Sequence, residues 1–240
     1  MIDGTHAHRV PCTIGLYYAD TRDLSAADVD ALVTAEDRAR ALATSRRLRR
    51  VQHLAGRALL RFALGEWTAA PAVSQRLRVR AGGKPECIDG PPISVSHDGT
   101  LVACAIGESS EVGVDVQHAE PRRRTLDIAR EYFSATENEW LDKAPADAFY
   151  MLWVLKEAYL KAVGSGLAGG LQSLDCRIVP PAIEIETAVP VALALYSIGK
   201  AYLGVAALGH RNAEIRVARW QPSRTCGSLP VRLVAKSWSA

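Results

Sequence analysis

The chain has 240 residues, 48% apolar and 23% charged, with 29 basic against 26 acidic side chains and a net charge of +3. This is the composition of a soluble globular protein with one large or two small domains; it excludes a disordered chain, a polycation and an acidic solvating protein. No apolar run approaches the about 20 residues needed to span a bilayer, and the opening Met-Ile-Asp-Gly-Thr-His lacks the basic and apolar regions of a signal peptide, so a cytoplasmic protein without membrane contact is expected.

Taken in chain order, Thr13–Ala19 reads as a strand and Ser25 as the N-cap of a short helix through Leu32. From Glu36 to Trp67 the pattern is helical with a break near Thr44 and Ser45, and Leu48, Val51, Leu54, Ala55, Ala58, Leu59 and Phe62 are spaced for one apolar face. Between Arg38 and Arg61 this segment holds eight arginines and no Asp or Glu, so a near-neutral chain carries a strong local positive field. That stretch is either a solvated helix surface or a site for anions. Further strands are expected at Arg76–Val79, Ile93–Val95, Leu101–Ile106 and Val112–Val116. Ser134-Ala-Thr-Glu137 is a capping box that opens a helix, a second helix runs over Ala148–Val163 to stop at Gly164-Ser-Gly166, and Leu174–Arg219 reads as a meander of strands.

Two segments resemble each other at a spacing of roughly 100 residues. Thr100-Leu-Val-Ala-Cys-Ala-Ile-Gly107 matches Tyr202-Leu-Gly-Val-Ala-Ala-Leu-Gly209, and the strands that follow begin at Glu111 and Glu214. The expected organisation is therefore an N-terminal half over 1–110, a C-terminal half over 111–220 and a tail over 221–240. Asp115 of the first copy is matched by Ala218 in the second, so chemistry at Asp115 belongs to one side only. Five widely spaced cysteines with no C-x-x-C pair suggest neither a disulfide framework nor a zinc site.

Three clusters could carry chemistry. In Gly113-Val-Asp115-Val-Gln117 a period of two puts Gly113, Asp115 and Gln117 on one strand face, and a carboxylate there needs a partner; a salt-bridged strand Asp would satisfy the same pattern. In Trp153-Val-Leu-Lys156-Glu157-Ala-Tyr-Leu-Lys161 the residues Trp153, Glu157 and Lys161 stack on one helix face among apolar neighbours, either as a half-buried ionic site or as a surface Glu–Lys pair. Ser94-Val-Ser96-His97-Asp98-Gly99 ends a strand in a polar turn suited to a phosphate, and Gly82-Gly83-Lys84-Pro85 is a basic turn, by itself a loop tip. No Rossmann, Walker A or nucleophile-elbow pattern occurs.

Gly-Lys84-Pro85, Ser94-Val-Ser96-His97, Gly113-Val-Asp115-Val, Phe133-Ser134, Trp153-x-x-Lys156-Glu157-x-x-x-Lys161 and Gly164-Ser-Gly166-Leu167, in this order and over roughly residues 13–220, resemble the surfactin-synthetase type of 4′-phosphopantetheinyl transferase. The resemblance implies an α+β fold of two similar halves related by a pseudo-twofold axis, and a monomer. It also implies transfer of the phosphopantetheine arm of coenzyme A to a serine of an acyl- or peptidyl-carrier protein, with release of adenosine 3′,5′-bisphosphate. Asp115, Glu157 and the residue at 117 would hold Mg²⁺, and Glu157, directly or through a metal-bound water, would accept the serine proton. Lys161 would neutralise the pyrophosphate, making Asp115, Glu157 and Lys161 the catalytic set. Coenzyme A would be bound by Arg40, Arg47, Lys84, Pro85, Ser96, His97, Lys156 and Lys161.

The departure is Gln117, where the family usually has a second carboxylate; a neutral oxygen there implies a metal site short of one negative charge. The run Arg122-Arg-Arg124, with Arg130 beyond it, is a candidate docking edge for an acidic carrier. A nucleic-acid protein using the arginine-rich helix would need neither Asp115 nor the Trp–Glu–Lys face, so no nucleic-acid partner is expected. A relative that binds coenzyme A without turnover is the other alternative.

Overall fold

The sequence periodicities resolve into two sheets and two long helices in a computed structural model that describes residues 12–80, 83–120, 124–166, 170–222 and 230–238. In the first half, strand β1 (Cys12–Asp20) is followed by α1 (Ala26–Asp30), α2 (Ala35–Leu42) and α3 (Arg47–Thr68). A small ribbon of β2 (Leu77–Val79) and β3 (Pro85–Cys87) precedes the hairpin β4 (Ile93–Asp98) and β5 (Leu101–Gly107). The break expected near Thr44 and Ser45 is the α2–α3 joint. Capping boxes start α1 through Ser25 and Asp28, and α2 through Thr34 and Asp37.

The second half repeats this connectivity. Strand β6 (Val112–His118) leads through α4 (Thr125–Tyr132), α5 (Ala135–Leu141) and α6 (Ala148–Val163) to β7 (Asp175–Val179) and β8 (Ala182–Glu186), then to the hairpin β9 (Val191–Ile198) and β10 (Ala201–Leu208). The capping box read at Ser134 and Glu137 is present at the start of α5. In each half the first strand pairs antiparallel with the second strand of the hairpin: β1 with β5, and β6 with β10. The similar segments at Thr100 and Tyr202 are these equivalent hairpin strands.

The sheet orders are β11-β1-β5-β4 and β6-β10-β9-β12-β8-β7, where β11 spans Ala213–Arg219 and β12 spans Val231–Lys236. Two features exceed the simple meander expected from the sequence. Strand β11 crosses back to pair in parallel with β1, and β12, within the segment read as a tail, inserts between β9 and β8.

Alternation along the strands builds the core in layers. Ile14, Leu16, Ala103 and Ala105 of the first sheet meet Val114, Val116, Leu203 and Val205 of the second. The opposite faces carry the helices. Val102, Cys104 and Ile106 pack under Ala55, Leu59 and Ala63 of α3, while α6 lies on the outer face of the second sheet. The apolar face expected for the arginine-rich helix begins one turn later than its spacing suggests, because Leu48 and Val51 are 56% and 43% exposed.

A seam of side chains also joins the halves. The side chains of β4 stand in for a backbone ladder toward β6. Ser94 Oγ accepts from Val114 N at 3.1 Å, Ser96 Oγ from Val116 N at 3.4 Å, and Asp98 Oδ2 from His118 N at 2.8 Å. Residues i, i+2 and i+4 share one strand face, so every second residue of Ser94-Val-Ser96-His-Asp98 supplies a rung.

Candidate functional site

Glycine decides how closely α6 approaches the second sheet. A Cβ on Gly113 would lie 1.8 Å from the Ala158 carbonyl oxygen and 2.6 Å from Ala162 N; one on Gly204, directly across from Asp115 in the ladder, would lie 2.4 Å from the Val154 oxygen. Only glycine allows such backbone contact. The residues next to Ala158 and Ala162 are Glu157 and Lys161, so this approach sets the helix's charged face against Asp115. Gly113→Ala is expected to push α6 off the strand and to destabilise the fold by about 3 kcal/mol, the upper end for overpacking, and to pull Glu157 and Lys161 away from Asp115. A melting temperature like that of the native protein would show that the approach is not needed.

The charges then meet over the seam. Lys161 Nζ lies 2.6 Å from Asp115 Oδ1, 2.9 Å from Ser96 Oγ and 3.2 Å from the Val114 carbonyl oxygen. Ser96 Oγ donates its own proton to Asp115 Oδ1 at 2.7 Å. Asp115 is buried, and its Oδ1 accepts from both Lys161 and Ser96. Glu157 is half-buried beside them. Burial, and next the Asp115 charge, raise its pKa above the usual carboxylate value, while Lys161 pulls it down. This group is held where it can take a proton more readily than an ordinary carboxylate.

A cleft of about 690 Å³ opens beside this cluster, lined by Arg22, Arg46, Arg49, His97, Gln117 and Glu120 among others. Burial, then the positive charge of Arg49, lower the His97 pKa, with Lys161 contributing in the same direction. Its Nδ1 is enclosed and has no hydrogen-bond partner. A cationic wall with a neutral imidazole in it is suited to a multiply charged anion, whose arrival would favour the protonated ring.

The arginine-rich segment divides in a way its spacing did not show. Arg57 and Arg61 turn inward onto Asp37 of α2 at 3.6 and 3.2 Å. Arg38 pairs with Asp30, Arg40 with Glu36 at 3.0 Å, and Arg50 donates to the Thr44 and Ser45 carbonyl oxygens. Of the two arginines expected to bind the cofactor, Arg40 is therefore occupied by Glu36, and Arg47 is exposed without lining the cleft. Arg46 and Arg49 face it instead.

Lys156 is also corrected. It is fully buried, with Nζ 2.6 Å from Glu137 Oε1 and 2.8 Å from the Leu171 oxygen, a further bond to the Leu174 oxygen, and the Phe133 ring 5.0 Å away. Its partner Glu137 is the capping-box residue of α5 and also accepts from Ser134 N and Cys176 N, each at 3.0 Å. The ammonium therefore ties α6 to α5 and β7 and does not reach the cleft. Trp153 packs toward the same core, its ring stacked on Phe149 at 5.6 Å.

The remaining expected residues are placed as follows. Lys84 Nζ lies 2.6 Å from Glu111 Oε2 and 3.2 Å from the Ala162 oxygen, bridging the halves at the end of α6. Pro85 and Lys84 line a small cavity of about 80 Å³ next to it. Gln117 donates from Nε2 to Asp98 Oδ2 at 2.8 Å. Arg124 is exposed, 3.8 Å from Asp127, and Arg130 is exposed on α4; Gly82, Arg122, Arg123 and Leu167 lie outside the described residues. Sequence reasoning assigned no role to Asp98, Glu111 or Glu137 beyond the capping box. Asp98 and Glu137 fall within the motifs, and only their partners across the fold disclose what they do.

A carboxylate–lysine cluster in an α+β pair of sheets, near a cleft lined by Arg22, Arg46 and Arg49, is suited to a polyanionic ligand. Comparison with known proteins gives the family. The model of the 4′-phosphopantetheinyl transferase superfamily matches residues 111–196. A 4′-phosphopantetheinyl transferase of Bacillus subtilis is 32% identical over 166 residues, 65% of this chain and 73% of the relative. HetI of Nostoc sp., also named as such a transferase, is 27% identical over 187 residues, 74% of this chain and 76% of the relative. Sfp of Bacillus subtilis strain 168 is 37% identical over 110 residues, 43% of this chain and 47% of the relative. The chain belongs to the 4′-phosphopantetheinyl transferase family.

Proposed function

We propose that the chain transfers 4′-phosphopantetheine from coenzyme A to a serine of an acyl- or peptidyl-carrier protein. The observation that carries this reading is the cluster of Asp115, Glu157, Lys161 and Ser96, which the close approach of α6 at Gly113 supports. In the reaction the carrier serine oxygen bonds to the β-phosphorus of the pyrophosphate. The bond from that phosphorus to the bridging oxygen breaks, and the electron pair leaves on adenosine 3′,5′-bisphosphate.

Glu157 takes the proton of the attacking hydroxyl. Lys161 neutralises pyrophosphate charge from its place beside Asp115 and Ser96. Arg46, Arg49 and His97 hold further phosphate oxygens, and the cleft fixes the direction of attack. The donor chemistry fits Mg²⁺, a hard ion that takes one or two carboxylates and completes its shell with phosphate oxygens and water. Asp115 and Glu157 would hold it, with the neutral oxygen of Gln117 beside them; among the described residues no cluster of three His, Cys, Asp or Glu is formed. When bound, Mg²⁺ would supply charge neutralisation at the pyrophosphate.

One chain supplies both sides of the site, Ser96 from the first half and Asp115, Glu157 and Lys161 from the second, which supports a monomer as the working unit. A cytoplasmic location belongs to the same proposal; no helix among the described residues is long and apolar enough to cross a membrane. The pairing of Arg38, Arg40, Arg57 and Arg61 with carboxylates leaves a small cationic wall rather than a broad nucleic-acid surface.

The deciding experiment is incubation with coenzyme A, Mg²⁺ and apo carrier proteins, followed by mass spectrometry. A gain of about 340 Da on the carrier, fixed by the attached group itself, is expected. Binding of coenzyme A with no gain on several carriers would point to a binding-only protein. The arginines give a second test. Arg49→Ala should weaken coenzyme A binding about tenfold, the low end of a charge-assisted hydrogen bond at roughly 1.5–3 kcal/mol, whereas Arg40→Ala should change it less than about twofold. Calorimetric titration showing equal losses would remove the distinction.

A further inference from the structure

Gln117 stands where the family usually places a carboxylate, and the structure shows what its side chain does instead. Its Nε2 donates to Asp98 Oδ2 at 2.8 Å. The same carboxylate oxygen accepts from His118 N at 2.8 Å and faces His118 Nδ1 at 3.0 Å. Asp98 is the third rung of the side-chain ladder from β4 to β6, after Ser94 and Ser96, so its position is set by both strands.

An ionised carboxylate only accepts, and only the nitrogen of a Gln amide donates. The contact therefore dictates which way round the Gln117 amide sits. Its nitrogen is committed to Asp98, and among the described residues nothing donates to its carbonyl oxygen. Gln117 shares its strand face with Asp115, by the period of two along β6.

We propose that Asp98 is a positioning residue that fixes the Gln117 amide so that its carbonyl oxygen is the group offered to the metal held by Asp115 and Glu157. This rests on the metal reading under the proposed function. The carboxylate of the pair is carried by the neighbouring strand, and the two positions are coupled. A Glu at 117 alone would set two carboxylates against each other where an amide now donates. Exchanging the two chemistries together, Asp98→Asn with Gln117→Glu, keeps a donor and an acceptor in contact and moves the negative charge onto β6.

The test measures Mn²⁺ affinity by electron paramagnetic resonance in the presence of coenzyme A and without a carrier, so that no turnover occurs. Asp98→Ala should weaken Mn²⁺ binding about tenfold, the low end for removing a partner that orients a metal ligand. Gln117→Glu alone should fail to tighten it, and the reciprocal double variant should bind about tenfold more tightly than the native chain. Unchanged affinity in Asp98→Ala, or Gln117→Glu matching the double variant, would overturn the inference. A native chain that binds coenzyme A but no Mn²⁺ would overturn the metal reading itself, and the inference with it. A second readout needs no metal: the Gln117 side-chain amide protons should exchange slowly with solvent in the native chain and rapidly in Asp98→Ala. Equal exchange would show that Asp98 does not hold the amide.

Discussion

Glu157→Gln is expected to remove transfer while raising the melting temperature of the metal-free protein. The loss in kcat should be roughly 10²–10⁴-fold, the range for removing a positioned general base. The gain in stability follows from the direction of the pKa shift. Burial and the Asp115 charge raise the Glu157 pKa above its ordinary 4.5, against the opposing pull of Lys161. Between the ordinary value and the raised one, the folded protein holds this proton more tightly than the unfolded chain does, so stability falls as pH rises through that window. Above that window the native chain carries the penalty of an ionised Glu157, and the Glu157→Gln variant carries none. Below the ordinary value both forms are neutral, and the difference should close. Melting curves in chelator at pH 7 and pH 4 measure this, and mass spectrometry of the carrier measures transfer. A variant that melts lower at pH 7 and still modifies carriers would sink both the assignment and the charge account.

Lys156→Met should be the most destabilising single change in the motif that also holds Glu157 and Lys161. Lys156 and Glu137 are both fully buried and in contact. Removing the ammonium leaves an enclosed carboxylate whose remaining partners include the Ser134 and Cys176 amides, and breaking a buried pair in this way costs about 3–5 kcal/mol. Glu137→Gln should cost a comparable amount. The double variant should recover much of the loss, because no uncompensated charge remains, and the coupling from the cycle of single and double variants should exceed about 2 kcal/mol. Chemical denaturation provides the measurement. Additive losses, or a Lys156→Met variant that melts normally and only loses coenzyme A affinity, would return Lys156 to the cleft.

The contrast between Lys156 and Lys161 shows how far the sequence could be read. At 3.6 residues per turn, Glu157 and Lys161 lie roughly 40° apart around α6, but Lys156 and Lys161 lie roughly 140° apart. Helical spacing alone thus separates the cleft face from the core face. Naming Lys156 as a cofactor ligand followed the motif and not the geometry. The elements were similarly legible: α6 spans the predicted Ala148–Val163, the Ser134–Glu137 box caps α5, and β6 alternates as its valines require.

Other features could not be read from spacing. Arg40, Arg46, Arg47 and Arg49 are alike as residues. The Arg40–Glu36 pair, four residues apart on one helix, is the part that spacing does offer; which of the others faces the His97 wall is not. Arg57 and Arg61 are neutralised by Asp37 because α2 folds back along α3. The contact between Asp98 and Gln117 arises because β4 and β6, which are not consecutive in the chain, run side by side.

Local periodicity and capping were sufficient to place Asp115 and Gln117 on one strand face and Glu157 and Lys161 on one helix face, since those relations depend only on residues a few positions apart. The positive stretch between Arg38 and Arg61 was equally plain in the composition. Which of its charges remain free for a ligand was decided only by tertiary structure. Ion pairing is settled by the carboxylates that other elements bring within about 4 Å, and the sequence interval between partners carries no record of that.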